Sequence, residues 1–130
     1  MLTESGPKIV ETSEFAKMNT KGAKLRILEA TQSGPLLLRK GKIHPDFRKG
    51  SKNLKLRSGV GINKKGDVIF AVSSGLVNFH DFAEFFLNDL DCQDALYLDG
   101  TISSLLVKDE EPTPQVEPFV GIWAATSKSN

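Results

Sequence analysis

A chain of 130 residues has room for one folded domain. With 39% hydrophobic and 25% charged residues it can bury a core, which excludes a disordered chain. Its 17 basic and 16 acidic residues leave a net charge of +1, so it lacks the strongly basic balance that favours nucleic acid or an anionic membrane, and no nucleic-acid partner is expected. No apolar run approaches the roughly 20 residues that span a bilayer, and no transmembrane segment is expected. The opening Met-Leu-Thr-Glu-Ser-Gly-Pro-Lys lacks the basic-then-apolar pattern of a signal peptide. Cys92 is the one cysteine, which rules out an intrachain disulfide and a cysteine-based zinc site.

Residues 1–24 are polar, with Ile9, Val10 and Phe15 as the candidate anchors, and read as a weakly structured leader. Within them Lys8–Glu11 suits a short edge strand and Thr20–Ala23 a turn. The domain proper is expected over residues 25–125, followed by a polar tail at 126–130. Lys24–Thr31 reads as a short helix or irregular turn, running into Gln32-Ser33-Gly34-Pro35, where proline disfavours helix. Leu36–Arg39 predicts a strand, Lys40-Gly41-Lys42 a tight turn and Ile43 the start of a return strand. Arg48–Lys55 is a basic run around Gly50 and Ser51, read as a solvated loop.

The clearest hairpin follows: Ser58–Ile62, a turn over Asn63–Asp67, and Val68–Val72. Phe79–Leu90 is the one convincing helix, with Phe82, Phe85, Phe86 and Leu90 at helical spacing and Asn78 as N-cap. Asp91–Asp94 is expected to turn out of it into Asp94–Val107. That stretch joins a strand (Ala95–Leu98), an Asp99-Gly100 turn, Ser103 and Ser104, and an apolar run over Leu105–Val107 that should be buried. Lys108–Pro118 is an acidic, proline-containing loop, and Phe119–Ala125 a last strand. The fold class is α+β: a mainly antiparallel sheet packed against one long helix, Phe79–Leu90.

No phosphate-binding glycine loop, nucleophile elbow or metal-ligand pattern is present, and no cofactor or metal is expected. Asp99 is a carboxylate delivered at the end of a buried strand, suited to acid/base or electrostatic work. Its alternative is an ordinary Asp-Gly turn. Arg57, just before a strand, can bind an anion through its fork, or be an exposed flank of the basic loop. His80 sits beside Asp81 at the helix start, where it can move a proton or serve as a surface histidine.

These pieces together carry a resemblance. S-G-P-L-L-L-x-x-G-K-I, R-S-G-V-G-I-x-x-x-G, F-A-V-S-S-G, a helix, and D-C-Q-D-A-L-Y-L-D-G-T-I-S-S-L resemble, in order and spacing, the phosphodiester glycosidase family. That family includes the lysosomal enzyme that removes N-acetylglucosamine from a mannose-phosphate diester, and many bacterial relatives. The match covers about Leu25 to Val107, with a weaker tail to Ala125, and resembles the C-terminal portion of the family domain, so residues 1–24 would be a leader or the remnant of a missing upstream half.

The resemblance implies a hydrolase acting on a sugar–phosphate diester of a bacterial glycan or envelope polymer, with carbohydrate or sugar phosphate as ligand. An extracytoplasmic location is implied if an export signal lies upstream. Arg57 and Asp99 would be catalytic, with Ser33, Gly34, Pro35, Asn78, His80, Gly100, Ser103 and Ser104 binding substrate. The family's L-D-G-G-G-S-S is here Leu98-Asp99-Gly100-Thr101-Ile102-Ser103-Ser104, two glycines fewer, and an upstream Asn-Gly/Ala-x-Phe motif is absent. Both departures suit the alternative, a non-catalytic glycan- or phosphate-binding module.

Overall fold

The computed structural model describes residues 1–18, 26–100, 103–110 and 124–126. Its centre is a five-stranded antiparallel sheet of order β5-β4-β8-β6-β7. The strands are β4 (Leu36–Arg39), β5 (Lys42–Ile43), β6 (Ser58–Asn63), β7 (Val68–Val72) and β8 (Cys92–Asp99). A small sheet of order β2-β1-β3 stands at the N-terminal side, made of β1 (Leu2–Thr3), β2 (Gly6–Pro7) and β3 (Ile27–Glu29). Two helices occur among the described residues, α1 (Thr12–Met18) and α2 (Phe79–Asn88). The α+β class with antiparallel sheets holds.

The sheet's central strand is β8, which pairs with β4 on one side and β6 on the other. It begins at Cys92, so the expected turn through Asp94 is already strand. The reversal is concentrated at Asp91, which has a left-handed φ of 51°.

Gly59 and Gly61 of β6 explain how α2 reaches the sheet. A Cβ at Gly61 would lie 2.6 Å from the Cys92 sulfur and 2.7 Å from the Phe86 ring. At Gly59 it would meet Leu96 O at 3.0 Å and the Phe86 and Phe82 rings at 3.1 and 3.2 Å. The missing side chains are the seat for two phenylalanines, and with Leu37, Leu38, Ala83, Cys92 and Ala95 these form the buried cluster.

Helix α2 is capped by Asn78, whose Oδ1 accepts from Asp81 N at 2.9 Å. It ends at Asn88 rather than Leu90, because the Asp89 and Leu90 N–H groups both turn back to Phe85 O. Phe82 and Phe86 are buried, whereas Phe85 is 40% exposed and touches Phe86 edge-on.

Several expectations are corrected. Lys8–Glu11 forms no strand: the N-terminal pairing is made by β1 with β2 and β3, and α1 begins at Thr12. Ile27–Glu29, expected in a short helix or irregular turn, is strand, because its backbone completes the small sheet against Leu2–Thr3. Leu105–Val107 is exposed, Leu106 to 76%, and belongs to no strand. The turn expected over Thr20–Ala23 lies outside the described residues. So does the last strand over Phe119–Ala125, apart from Ala124 and Ala125, which are not strand.

Candidate functional site

The adjoining ends of β6 and β8 gather most of the polar residues singled out from the sequence. Register pairs Ser58 with Asp99. The buried Ser58 hydroxyl donates to Asp99 O at 3.1 Å, accepts from Asp99 N at 3.2 Å and lies 2.7 Å from the Ser103 hydroxyl. Asp99 is exposed, and its Oδ1 accepts from Gly100 N at 2.6 Å, so the carboxylate is fixed by its own turn. Gly100 is glycine for a steric reason: a Cβ there would sit 2.8 Å from the Tyr97 hydroxyl and 3.0 Å from Leu56 O. Ser33 reaches the same strand end, donating to Tyr97 O at 2.8 Å and to Leu98 O at 3.2 Å. Gly34 and Pro35 are joined by a cis peptide, and Pro35 O accepts from Tyr97 N at 3.0 Å. Ser104 is half-buried beside Ser103.

Arg57 is the largest fully buried side chain, 2% exposed, and not the surface arginine its basic neighbours suggested. Its backbone is clamped by Ser73, with Arg57 N donating to Ser73 Oγ at 2.9 Å and Ser73 N donating to Arg57 O at 2.8 Å. Nε donates to Val77 O at 2.9 Å and Nη2 to Asn53 O at 3.0 Å. The guanidinium lies 3.6 Å from the Phe79 ring centre and 5.7 Å from that of Tyr97. No carboxylate pairs with it among the described residues. Burial pushes its pKa down, opposed by the charge and hydrogen bond of the Tyr97 phenol. Burial also pushes Tyr97 up, with Arg57 opposing and Asp99 adding to the rise. Tyr97 thus joins the arginine to the Asp99-Gly100 turn.

Asn78 and His80 stand apart from that strand end, at the start of α2. Asn78 is buried and spends both side-chain polar atoms on Asp81, its Nδ2 donating to Oδ2 at 2.9 Å. His80 Nδ1 is buried without a hydrogen bond, its nearest acid being Asp81 Oδ1 at 3.5 Å. His80 lines a depression of about 180 Å³ with Phe79, Asn53, Ser51, Arg48, Phe47 and Asp46. Phe47 and Phe79 stack within it at 4.9 Å. Phe79 and Asn53 are also the residues that hold Arg57, so the depression abuts the buried guanidinium.

One group of metal-ligand type occurs among the described residues: His80, Asp81 and Glu84, whose donor atoms lie within 4.8 Å of one another. Both acids are already engaged, Asp81 by Asn78 and Glu84 by Lys49 at 3.8 Å. Sequence reasoning missed Ser58, Tyr97, Phe79 and Ser73. The usable signal was Ser58 as the first residue of the strand that follows Arg57, since β6 runs Ser58–Asn63.

The chain belongs to the phosphodiester glycosidase family, whose profile matches residues 2–122. It is 43% identical over 99 residues to the uncharacterized protein YigE of Escherichia coli (strain K12). That alignment covers 76% of this chain and 39% of the relative, so the chain spans well under half of the curated protein it matches. A crystal structure of a hypothetical protein from Synechocystis is similar at a TM-score of 0.44 and 27% identity, over 54% of this chain and 15% of that one. No helix among the described residues is long and apolar enough to cross a membrane.

Proposed function

We propose that the chain carries the anion-binding half of a phosphodiester glycosidase site and acts on a sugar–phosphate diester, as its family membership suggests. The observation that supports this reading most is Arg57, a buried guanidinium with no carboxylate partner among the described residues. Removing a cation from water costs several kcal/mol unless an anion compensates it. Two carbonyls and two aromatic faces supply dipoles and ring quadrupoles, not a counter-charge. A phosphodiester brought to the neighbouring depression would supply that charge, and the arginine fork suits its geometry.

In this reading Arg57 holds the phosphoryl oxygens and Asp99, exposed at the strand end, acts at the anomeric carbon. Ser33, Gly34, Pro35, Gly100, Ser103 and Ser104 shape the sugar side, and Asn78 and His80 border the phosphate side. Glycoside cleavage commonly uses two carboxyl groups. The chain spans 39% of the relative's length, so a second carboxylate has room to come from chain beyond this one.

The test is release of N-acetylglucosamine from an N-acetylglucosaminyl phosphodiester, with binding of the matching sugar 1-phosphate measured in parallel. Asp99→Asn should lower turnover about a thousandfold while leaving binding within about threefold. Arg57→Met should abolish binding. Unchanged turnover in both variants overturns the reading. Saturable binding without turnover, by the full-length protein as well as by this chain, favours the non-catalytic module, a reading supported by the non-glycine residues Thr101 and Ile102 in the signature.

A further inference from the structure

A second cavity, larger than the depression beside His80, lies against the hairpin of β4 and β5. It measures about 460 Å³ and is lined by Leu36, Leu38, Ile43 and Pro45 on its apolar side. Arg39, Lys40, Lys42, His44 and Glu11 complete it. Its volume falls within the roughly 300–1,000 Å³ of small-molecule sites. None of these residues belongs to the glycosidase site proposed above.

The charges around it are unbalanced. Arg39 is paired twice: its Nη1 donates to Asp94 Oδ1 at 2.6 Å and its Nη2 to Glu14, tying β4 to β8 and to α1. Asp94 is used again by the backbone, accepting from Lys40 N at 3.1 Å. The two nearest carboxylates are therefore consumed by Arg39. Lys40 and Lys42, both exposed, have no ion-pair partner among the described residues, and Glu11 is the one acid in the lining.

The turn fixes where these lysines stand. Lys40 and Gly41 both have left-handed φ, 51° and 71°, as a two-residue hairpin turn requires. Gly41 N donates to Gln93 O at 2.8 Å, which pins the turn to β8. The result is a firmly held cationic rim over an apolar wall.

We infer that this cavity binds a single-chain amphiphile, an aliphatic tail carrying an anionic phosphate or carboxylate head. The tail lies on Leu36, Ile43 and Pro45, and the head meets Lys40 and Lys42. A two-chain lipid does not match one cavity of this size, and a free inorganic anion would leave the apolar wall unused. The inference is independent of any glycosidase activity.

Isothermal titration of the chain with decyl phosphate below its micelle concentration tests it. Expected is saturable binding with one site, weakened about tenfold in Lys40→Glu/Lys42→Glu and weakened by added salt. Decanol and decyltrimethylammonium, which lack the anionic head, should bind at least about tenfold more weakly. Shortening the tail from ten carbons to six should weaken binding progressively, at about 0.8 kcal/mol per methylene, close to fourfold each. Equal affinity for the cationic amphiphile, binding of inorganic phosphate as tight as that of decyl phosphate, or binding only to anionic phospholipid vesicles would each overturn it. So would wild-type affinity in the double variant. Both substitutions are at exposed positions, so circular dichroism should show a native fold throughout.

Discussion

The sheet has two differently built regions on its central strands. Along the middle of β6 the side chains are absent: Gly59 and Gly61 let Phe82, Phe86 and Cys92 fill the space. At the end of β6 the side chains are present and polar: Arg57 and Ser58 are buried and tied to Asn53, Val77, Asp99 and Ser103. In the first region the space is closed by uncharged side chains, chiefly the Phe82 and Phe86 rings and the Cys92 sulfur. In the second, the charge does not close, because Arg57 gives Nε and Nη2 to two carbonyls and has no carboxylate partner among the described residues. The contrast separates what a core needs from what a site needs. A core is complete when its volume is filled, whereas a buried charge is complete only when something of opposite sign arrives.

The sharpest break in that contrast is steric. Gly61→Ala should destabilise the chain by about 3 kcal/mol, because the new methyl lands on the Cys92 sulfur and the Phe86 ring. Gly75→Ala, with nothing within 4 Å of the added carbon, should change stability by no more than about 0.5 kcal/mol. Urea unfolding of the two variants decides this, and equal midpoints would mean that the helix does not sit on the glycines.

At the polar end the expected effects are smaller. Ser58→Ala should cost about 1–2 kcal/mol, since it strips the acceptor from Asp99 N and the partner from Ser103. Arg57→Met keeps the packing against Phe79 and removes an uncompensated charge. It should therefore shift unfolding by less than about 1 kcal/mol while phosphate binding is lost. A loss of several kcal/mol would make Arg57 a structural residue, and the contrast between the two ends would fall.

Sequence reading succeeded where pattern and packing coincide. The β6–β7 hairpin, the β4 strand and the α2 helix follow from alternation, turn residues and the phenylalanine spacing, and each stands close to where the pattern places it. Asn78 was legible as a cap because its side chain acts within three residues. What was not legible depends on distant partners. Ile27–Glu29 is strand because Leu2–Thr3 lies beside it, and nothing local says so. Arg57 looked exposed because its basic neighbours in the chain are exposed, whereas its burial is decided by Phe79 and Tyr97, 22 and 40 positions away. Asp99, Gly100 and Ser103 were visible as a motif, yet the Ser58 hydroxyl that links Asp99 to Ser103 comes from the paired strand.

The smallest effect examines the charge at Arg57 most directly. Tyr97 is the sole tyrosine, so its phenolate absorbance reports one group. Burial raises its pKa above the usual 10.0, and the Arg57 charge holds that rise back. A group whose folded pKa is raised adds stability that is fully present below pH 10 and is lost as pH climbs through the folded value. Alkaline titration should thus give a phenol midpoint above that of the urea-unfolded chain, with stability falling over the interval between them. In Arg57→Met the restraining positive charge is gone, so the midpoint should move higher still. A midpoint that stays put in that variant would place the guanidinium away from the phenol. A midpoint that rises would show an arginine acting on its neighbour as a bare positive charge, which is the condition for it to act the same way on a phosphate.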